Sequence, residues 1–269
     1  MTSTTKILVI GIDGLLLQRA IDSGRATTLS LIRSDCYFSD MTIDMPTVSG
    51  PSWATLLTGV TANIHKVVDN EFIGHALAEA PDFLSRVSQS NSELVTYAAA
   101  GWPPLIDPHD LGPVIAARPW DQSSGKHHIF VRDGETHGYE KVDAEIAHHA
   151  LTTINQIAPD VSFVYFCGAD EAGHREGTIH GSYFDAIERI DTYLETLHRA
   201  IINRSQNFNE KWLLVITTDH GHRDEGGHGG DSAQERASFV IAHGVGRPHP
   251  TWPSTIKPEE LVEQLLATL

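Results

Sequence analysis

The sequence predicts an α/β fold, a central and mostly parallel sheet with helices on both faces, and three observations carry that expectation. Short apolar runs rich in β-branched residues alternate with longer amphipathic stretches, and Asp, His and Gly gather just past the ends of the runs. The runs themselves are apolar at nearly every position, the mark of strands buried on both faces, as parallel strands are.

Four segments read as such strands: residues 6–12, 94–99, 161–167 and 212–217. Between and after them lie helical patterns over 143–157, 182–202 and 258–266, the last opening on Pro258-Glu-Glu, which suits a first turn. In the middle one, Phe184, Ile187, Ile190, Tyr193, Leu194 and Leu197 recur at three- and four-residue spacing, the stripe of a helix lying on a sheet. Residues 100–140, with many Pro, Gly, Asp and His and little periodicity, are expected to form a long irregular excursion over the active face. No repeat or linker divides the chain, and 269 residues suit one sheet with two helix layers, so residues 1–269 are expected to be one domain.

Composition narrows the function. Hydrophobic residues make up 41% and charged ones 20%, enough for a true core, while a formal charge of −16 excludes a broad nucleic-acid-binding surface. An acidic protein that handles an anionic substrate needs local positive charge, which bound divalent cations supply. Cys36 and Cys167 are the only cysteines and no disulfide is expected; Cys167 ends an apolar run, where a buried free thiol is the simple reading. Residues 1–6 run directly into the first strand with no room for a leader, and no apolar run has the length of a bilayer span, so a cytoplasmic location without membrane contact is expected.

The polar residues fall where open parallel sheets place their sites, past the carboxyl ends of strands. Asp13-Gly14 follows the first strand, Asp170-Glu-Ala-Gly-His174 the strand over 161–167, and Asp219-His220-Gly221-His222 the strand over 212–217, with His228 close behind. An Asp after a strand is commonly a turn residue and a lone His commonly a surface one. Three strand ends that each deliver Asp, two of them with His, suit zinc or a similar cation. Neighbouring strand residues point to opposite faces, so Asp219 and His220 can share an ion only if the strand stops before them; Gly221 allows it.

The segment Thr47-Val-Ser49-Gly-Pro51-Ser52 places Ser49 just before or at the start of a helix over about 51–57, since Pro51 suits a first turn. Ser49 is then a simple cap, or a nucleophile whose alkoxide and incoming phosphate are favoured by the helix N-terminus.

In combination these motifs resemble the alkaline phosphatase superfamily, and within it the type I phosphodiesterase/nucleotide pyrophosphatase family. The ordered set is Ile12-Asp13-Gly14, Ser49-Gly-Pro with Thr55-Leu-Leu-Thr-Gly59, Asp170-x-x-Gly-His174, Thr218-Asp219-His220-Gly221 and His228-Gly, which spans most of the chain. The resemblance implies an alkaline phosphatase-like three-layer sandwich and a metal-dependent hydrolase of phosphate esters working through a phosphoseryl intermediate. By that resemblance Ser49 is the nucleophile, with Thr47 and Ser52 as fallbacks, and Asn70 holds a phosphoryl oxygen. Asp170, His174 and His228 hold one ion, and Asp13, Asp219, His220 and the Ser49 oxygen the other. The cofactors implied are two divalent ions, zinc by the His content, with manganese or iron also accepted. Two such ions balance three carboxylates and a serine alkoxide, so a phosphate can enter a near-neutral centre. His222, Asp231, Glu235, Arg236 and Arg175 are expected to hydrogen-bond around the ligands or face solvent.

The chain departs from larger members in having only seven residues between His220 and His228, so no large cap insertion is expected there. The substrate is expected to be a small phosphate ester, nucleotides included, contacted from residues 100–140, from the loop around Asn70 or from another subunit. Trp53, Trp102 and Trp120 are either base-stacking residues or packing anchors. No Arg or Lys stands immediately beside Ser49, which favours diesters over the alternative, a phosphomonoesterase. A sulfatase is disfavoured because Trp53 stands where Cys/Ser-x-Pro-x-Arg needs Arg, and a mutase because the chain is short for a module that retains its intermediate. A catalytically inactive, metal-containing binding protein is the reading from another class.

Overall fold

Apolar alternation along the first strand sets the architecture. The computed structural model describes residues 5–269. In β1 (Thr5–Ile12), Ile7 and Val9 face one buried cluster while Leu8, Ile10 and Ile12 face another. The first cluster is closed by the helices Ser49–Thr58, Phe83–Ser90 and Leu261–Leu266, the second by Thr27–Ser34, Tyr139–Gln156 and Gly181–Phe208. Three layers result, as a sheet apolar on both sides requires.

The sheet has seven strands: β1, β2 (Tyr37–Thr42), β3 (Thr96–Ala100), β4 (His127–Val131), β5 (Val161–Phe166), β6 (Lys211–Thr217) and β7 (Ala237–Val245), in the order β2-β7-β6-β1-β5-β3-β4. β6, β1, β5, β3 and β4 run parallel; β7 is antiparallel to both β6 and β2. The four strands read from sequence are present within two residues at each end, and the helices read over 143–157 and 182–202 are Tyr139–Gln156 and Gly181–Phe208. The pattern over 258–266 resolves into a 3₁₀ turn, Pro258–Glu260, and the helix Leu261–Leu266.

Residues 100–140 correct the sequence reading. Residues 119–137 hold the helix Pro119–Ser123, β4 at the edge of the sheet and the helix Gly134–His137, whereas residues 101–118 are irregular apart from the 3₁₀ turn Pro103–Leu105. Five-residue β4 (HHIFV) is too short and too His-rich to stand out by periodicity. β2 and β7 carry no clear strand signal in the sequence, because Ser39, Asp40, His243 and Gly244 interrupt their apolar pattern. Cys167 is a buried free thiol and Cys36 is unpaired, as expected. Among the described residues no helix is long and apolar enough to cross a membrane.

Candidate metal centre

Adjacent β6, β1 and β5 end on the same edge of the sheet, and each feeds one ligand motif into it. Asp13 follows β1 directly. Gly14, at φ +63°, turns the chain away; a Cβ there would meet His222 Nε2 at 2.7 Å and Asp170 Oδ1 at 2.9 Å. Only glycine leaves room for those two groups. After β5 the helix Gly168–Glu176 carries Asp170 and His174 four residues apart, on one face. Its first amides, Cys167 N and Gly168 N, donate to the Asp143 carboxylate at 3.2 and 2.8 Å. β6 stops at Thr217, so Asp219 and His220 lie beyond the strand and both turn inward. Thr217 Oγ1 donates to Phe239 O and Ser238 Oγ to Thr218 O, which pins that end against β7.

Ser49 is the first residue of the helix Ser49–Thr58, after an extended Val48. Its Oγ lies 3.2 Å from His220 Nε2. The fallback hydroxyls are turned elsewhere: Thr47 Oγ1 donates to Gly230 O and accepts from Gly229 N, while buried Ser52 Oγ has no partner. Asn70 Oδ1 accepts the Gly50 N–H at 2.7 Å, which holds the Asn70 side chain beside the start of the Ser49 helix.

His220 Nε2 is one pole of the site, 3.5 Å from Asp13 Oδ1 and 3.3 Å from Asp219 Oδ2. Ligands about 2.0–2.1 Å from a tetrahedral zinc stand roughly 3.3–3.4 Å from one another, close to these two spacings; Asp13, His220 and Asp170 also offer atoms within 4.8 Å of one another, a group that does not include Asp219. Asp13 Oδ1 and Asp219 Oδ2 are buried without any hydrogen-bond partner. An ionised oxygen in that state is strongly disfavoured unless a cation answers it. Asp170, His174, His222 and His228 form the second pole: Asp170 is 3.5 Å from both His174 Nε2 and His228 Nε2, and 2.6 Å from His222 Nε2. Both groups are of donor types that suit a divalent cation, and Asp170 belongs to both.

Ring tautomers separate ligand from support. A carbonyl can only accept, so His228 Nδ1 donates to Thr47 O (2.6 Å) and His220 Nδ1 to Gly221 O (3.1 Å); each Nε2 then carries the lone pair, that of His228 facing His174 Nε2 at 2.9 Å and that of His220 facing Ser49 Oγ. His222 Nδ1 has no partner, and with Asp170 ionised its Nε2–H donates to that carboxylate. This matches the hydrogen-bonding role expected of His222. Glu235 accepts from Gly230 N and from Ser232, which shapes the turn next to His228. Arg236 Nε donates to Ile43 O.

Burial dominates the electrostatics. It pushes Asp170 up to about 7 and Asp219 well above the usual carboxylate range, with the Asp13 charge adding to both. It also holds His220 well below the usual imidazole range, with His228 adding to the effect.

A third group, Asp35, His243 and His249, lies away from this edge. There the Gly244 N–H occupies His249 Nδ1, so its Nε2 carries the proton and donates to Asp35; this is a hydrogen bond rather than a ligand pair. The three tryptophans also divide: Trp53 is fully buried and Trp102 nearly so, which removes Trp53 as a base-stacking residue, while Trp120 is 88% exposed.

Residues 7–233 match the family described as type I phosphodiesterase/nucleotide pyrophosphatase. The chain belongs to that family. Among curated proteins, this family member is 29% identical to GPI ethanolamine phosphate transferase 1 of Yarrowia lipolytica over 89% of its own length and 26% of the relative. It is 27% identical to the catalytic subunit of human GPI ethanolamine phosphate transferase 3 over 81% of its length and 17% of the relative. The chain thus spans about a quarter or less of these relatives. Among solved structures, murine ectonucleotide pyrophosphatase/phosphodiesterase 5 superposes with a TM-score of 0.68 at 16% identity, covering 98% of this chain and 94% of that one. Phosphonoacetate hydrolase of Sinorhizobium meliloti superposes with a TM-score of 0.60 at 15% identity, covering 81% and 57%. These likenesses establish the alkaline phosphatase-like fold, and no large insertion interrupts it.

Proposed function

We propose that the chain is a metal-dependent phosphoric ester hydrolase, cleaving phosphodiesters or phosphoanhydrides through a phosphoseryl intermediate on Ser49. One observation carries the reading: Ser49 Oγ stands 3.2 Å from His220 Nε2, at the pole shared with the partnerless oxygens of Asp13 and Asp219. Asp13, Asp219, His220 and Ser49 would hold one cation and Asp170, His174 and His228 the other, zinc by donor type or else manganese or iron. When bound, such cations lower the pKa of a coordinated hydroxyl and neutralise phosphoryl oxygens.

The residues supply the rest. Ser49 Oγ, having lost its proton, attacks phosphorus in line; the P–O bond to the leaving group breaks, and water later cleaves the serine ester. Asn70, its Oδ1 already taken by the Gly50 N–H, presents its amide hydrogens to a phosphoryl oxygen. Among the described residues no Lys or Arg hydrogen-bonds to Ser49 or to the three carboxylates, which favours diesters over monoesters with their extra charge. The murine relative, whose AMP complex is of an inactive threonine-to-alanine variant, supports a hydroxyl nucleophile and a small phosphate ligand. The ethanolamine phosphate transferases favour a second reading, in which an alcohol instead of water takes the phosphoryl group from Ser49.

The test is to strip metal with chelator, restore zinc or manganese, and compare bis-p-nitrophenyl phosphate with p-nitrophenyl phosphate for wild type and Ser49→Ala. Metal should restore diester cleavage, and Ser49→Ala should lower kcat by at least about 10³-fold. Full activity in Ser49→Ala would remove the nucleophile, and strong monoester preference would reverse the substrate order. Added alcohol captured as a new phosphodiester in preference to hydrolysis would favour the transferase. A reloaded wild type inert on both substrates would favour a binding protein.

A further inference from the structure

Asp13 is held by two residues that no ligand motif contains. Its Oδ2 accepts from Trp53 Nε1 at 2.9 Å and from the Tyr165 hydroxyl at 2.5 Å. Both donors are buried, 0% and 1% exposed, and their rings meet edge to face at 5.5 Å. Oδ1 is left without a partner, 3.5 Å from His220 Nε2. Neither donor is charged, so together they orient the carboxylate while leaving its charge for a cation; an Arg in their place would cancel it.

Where the two come from matters as much. Tyr165 sits on β5 opposite Gly11 of β1, one pleat from Asp13. Trp53 lies four residues after Ser49 on the same helix, one turn along the same face. Its indole reaches across β1 only because residue 11 is glycine: a Cβ there would stand 2.5 Å from Trp53 Cη2 and 3.2 Å from Phe163 Cε2. A phenylalanine would fill a purely apolar slot, whereas an indole N–H aimed at a carboxylate does more than pack.

We propose that Trp53 and Tyr165 are positioning residues. They hold Asp13 with Oδ1 turned toward His220 and Ser49, and Trp53 ties the nucleophile's helix to that same carboxylate. Ligand orientation and serine placement are thereby one adjustment. The inference rests on the reading of Asp13 as a metal ligand.

The experiment measures zinc affinity of the full chain, by competition with a chromogenic chelator, for wild type, Asp13→Asn, Trp53→Phe and Tyr165→Phe, together with kcat and KM on the nitrophenyl diester. Trp53→Phe and Tyr165→Phe should each weaken one zinc site by about 10–100-fold, the range seen when a ligand loses its hydrogen-bonding support. They should lower kcat about tenfold or more with KM within about threefold, since substrate contacts are untouched. A purely structural role would lower Tm and leave zinc affinity alone. Should Trp53→Phe fail to fold, Tyr165→Phe, one oxygen smaller, carries the test. Zinc affinity and kcat within about twofold of wild type in the folded variants, with Asp13→Asn weakened, would reject this inference alone. Unchanged zinc affinity in Asp13→Asn would instead reject the ligand reading, and this inference with it.

Discussion

Asn70 is exposed, yet its side chain is not free to turn, because Oδ1 is committed to the Gly50 N–H one residue past Ser49. The end facing outward is the donor end, which is the useful one for charge that grows on a phosphoryl oxygen. Asn70→Ala should therefore lower kcat by about 10²-fold, as loss of one oxyanion donor does. Asn70→Asp keeps the acceptor for Gly50 but replaces the donor by a charge of the wrong sign, so its kcat should fall at least as far. Equal activity in Asn70→Asp and wild type would remove Asn70 from the reaction. At this scale residue type alone does not choose the nucleophile, and Ser49 is preferred to Thr47 and Ser52 only through the family resemblance. Thr47, Ser49 and Ser52 are alike in type, and what separates them is which hydroxyl meets His220, a fact of packing.

Elements were legible where burial is complete on both faces. β1, β5 and β6 are apolar almost throughout, and their ends fix where Asp13, Asp170 and Asp219 fall. β2 and β4, at the two edges, and His-bearing β7 carry mixed patterns, since an edge strand need not be apolar on both sides. The helix Gly168–Glu176 begins on a support the sequence did not suggest, the Asp143 carboxylate reaching over from the helix Tyr139–Gln156. Such a group answers helix amides left without partners. Burial pushes Asp143 up to about 7, against an ordinary value of 3.8. A folded-state value above the unfolded one means the stabilisation is complete below about 4 and is lost as pH rises through about 7. Asp143→Asn keeps an acceptor and has no charge to bury. In metal-free protein its Tm relative to wild type should climb between pH 4 and 7 and then level off. A difference that stays flat over that interval would show that Asp143 ionises normally.

For the molecule as a whole, the fold brings residues 13, 170 and 219 to one sheet edge, and burial there sets the three carboxylates against one another. Strand order could not be read from the sequence, so the convergence of those motifs was legible only through family resemblance; the chain's separate Asp and His signals were each ambiguous. Convergence has a thermodynamic consequence. Without metal at neutral pH the site relieves its crowding by holding protons, because burial and the Asp13 charge lift Asp170 to about 7 and Asp219 well above its usual range. A cation must displace those protons, so protons and metal compete and apparent affinity rises with pH. Zinc titrated into metal-free protein should release more protons at pH 6.5 than at pH 8.5, read from the dependence of calorimetric enthalpy on buffer ionisation. The same loading should raise Tm, since a ligand present at 100 times its Kd adds about 2.7 kcal/mol to the folded state. Asp219→Asn should lose most of that shift, whereas Ser49→Ala, which leaves all the carboxylates and imidazoles in place, should keep most of it. Zinc that binds without releasing protons, or that leaves Tm unmoved, would mean the buried carboxylates are not where it goes.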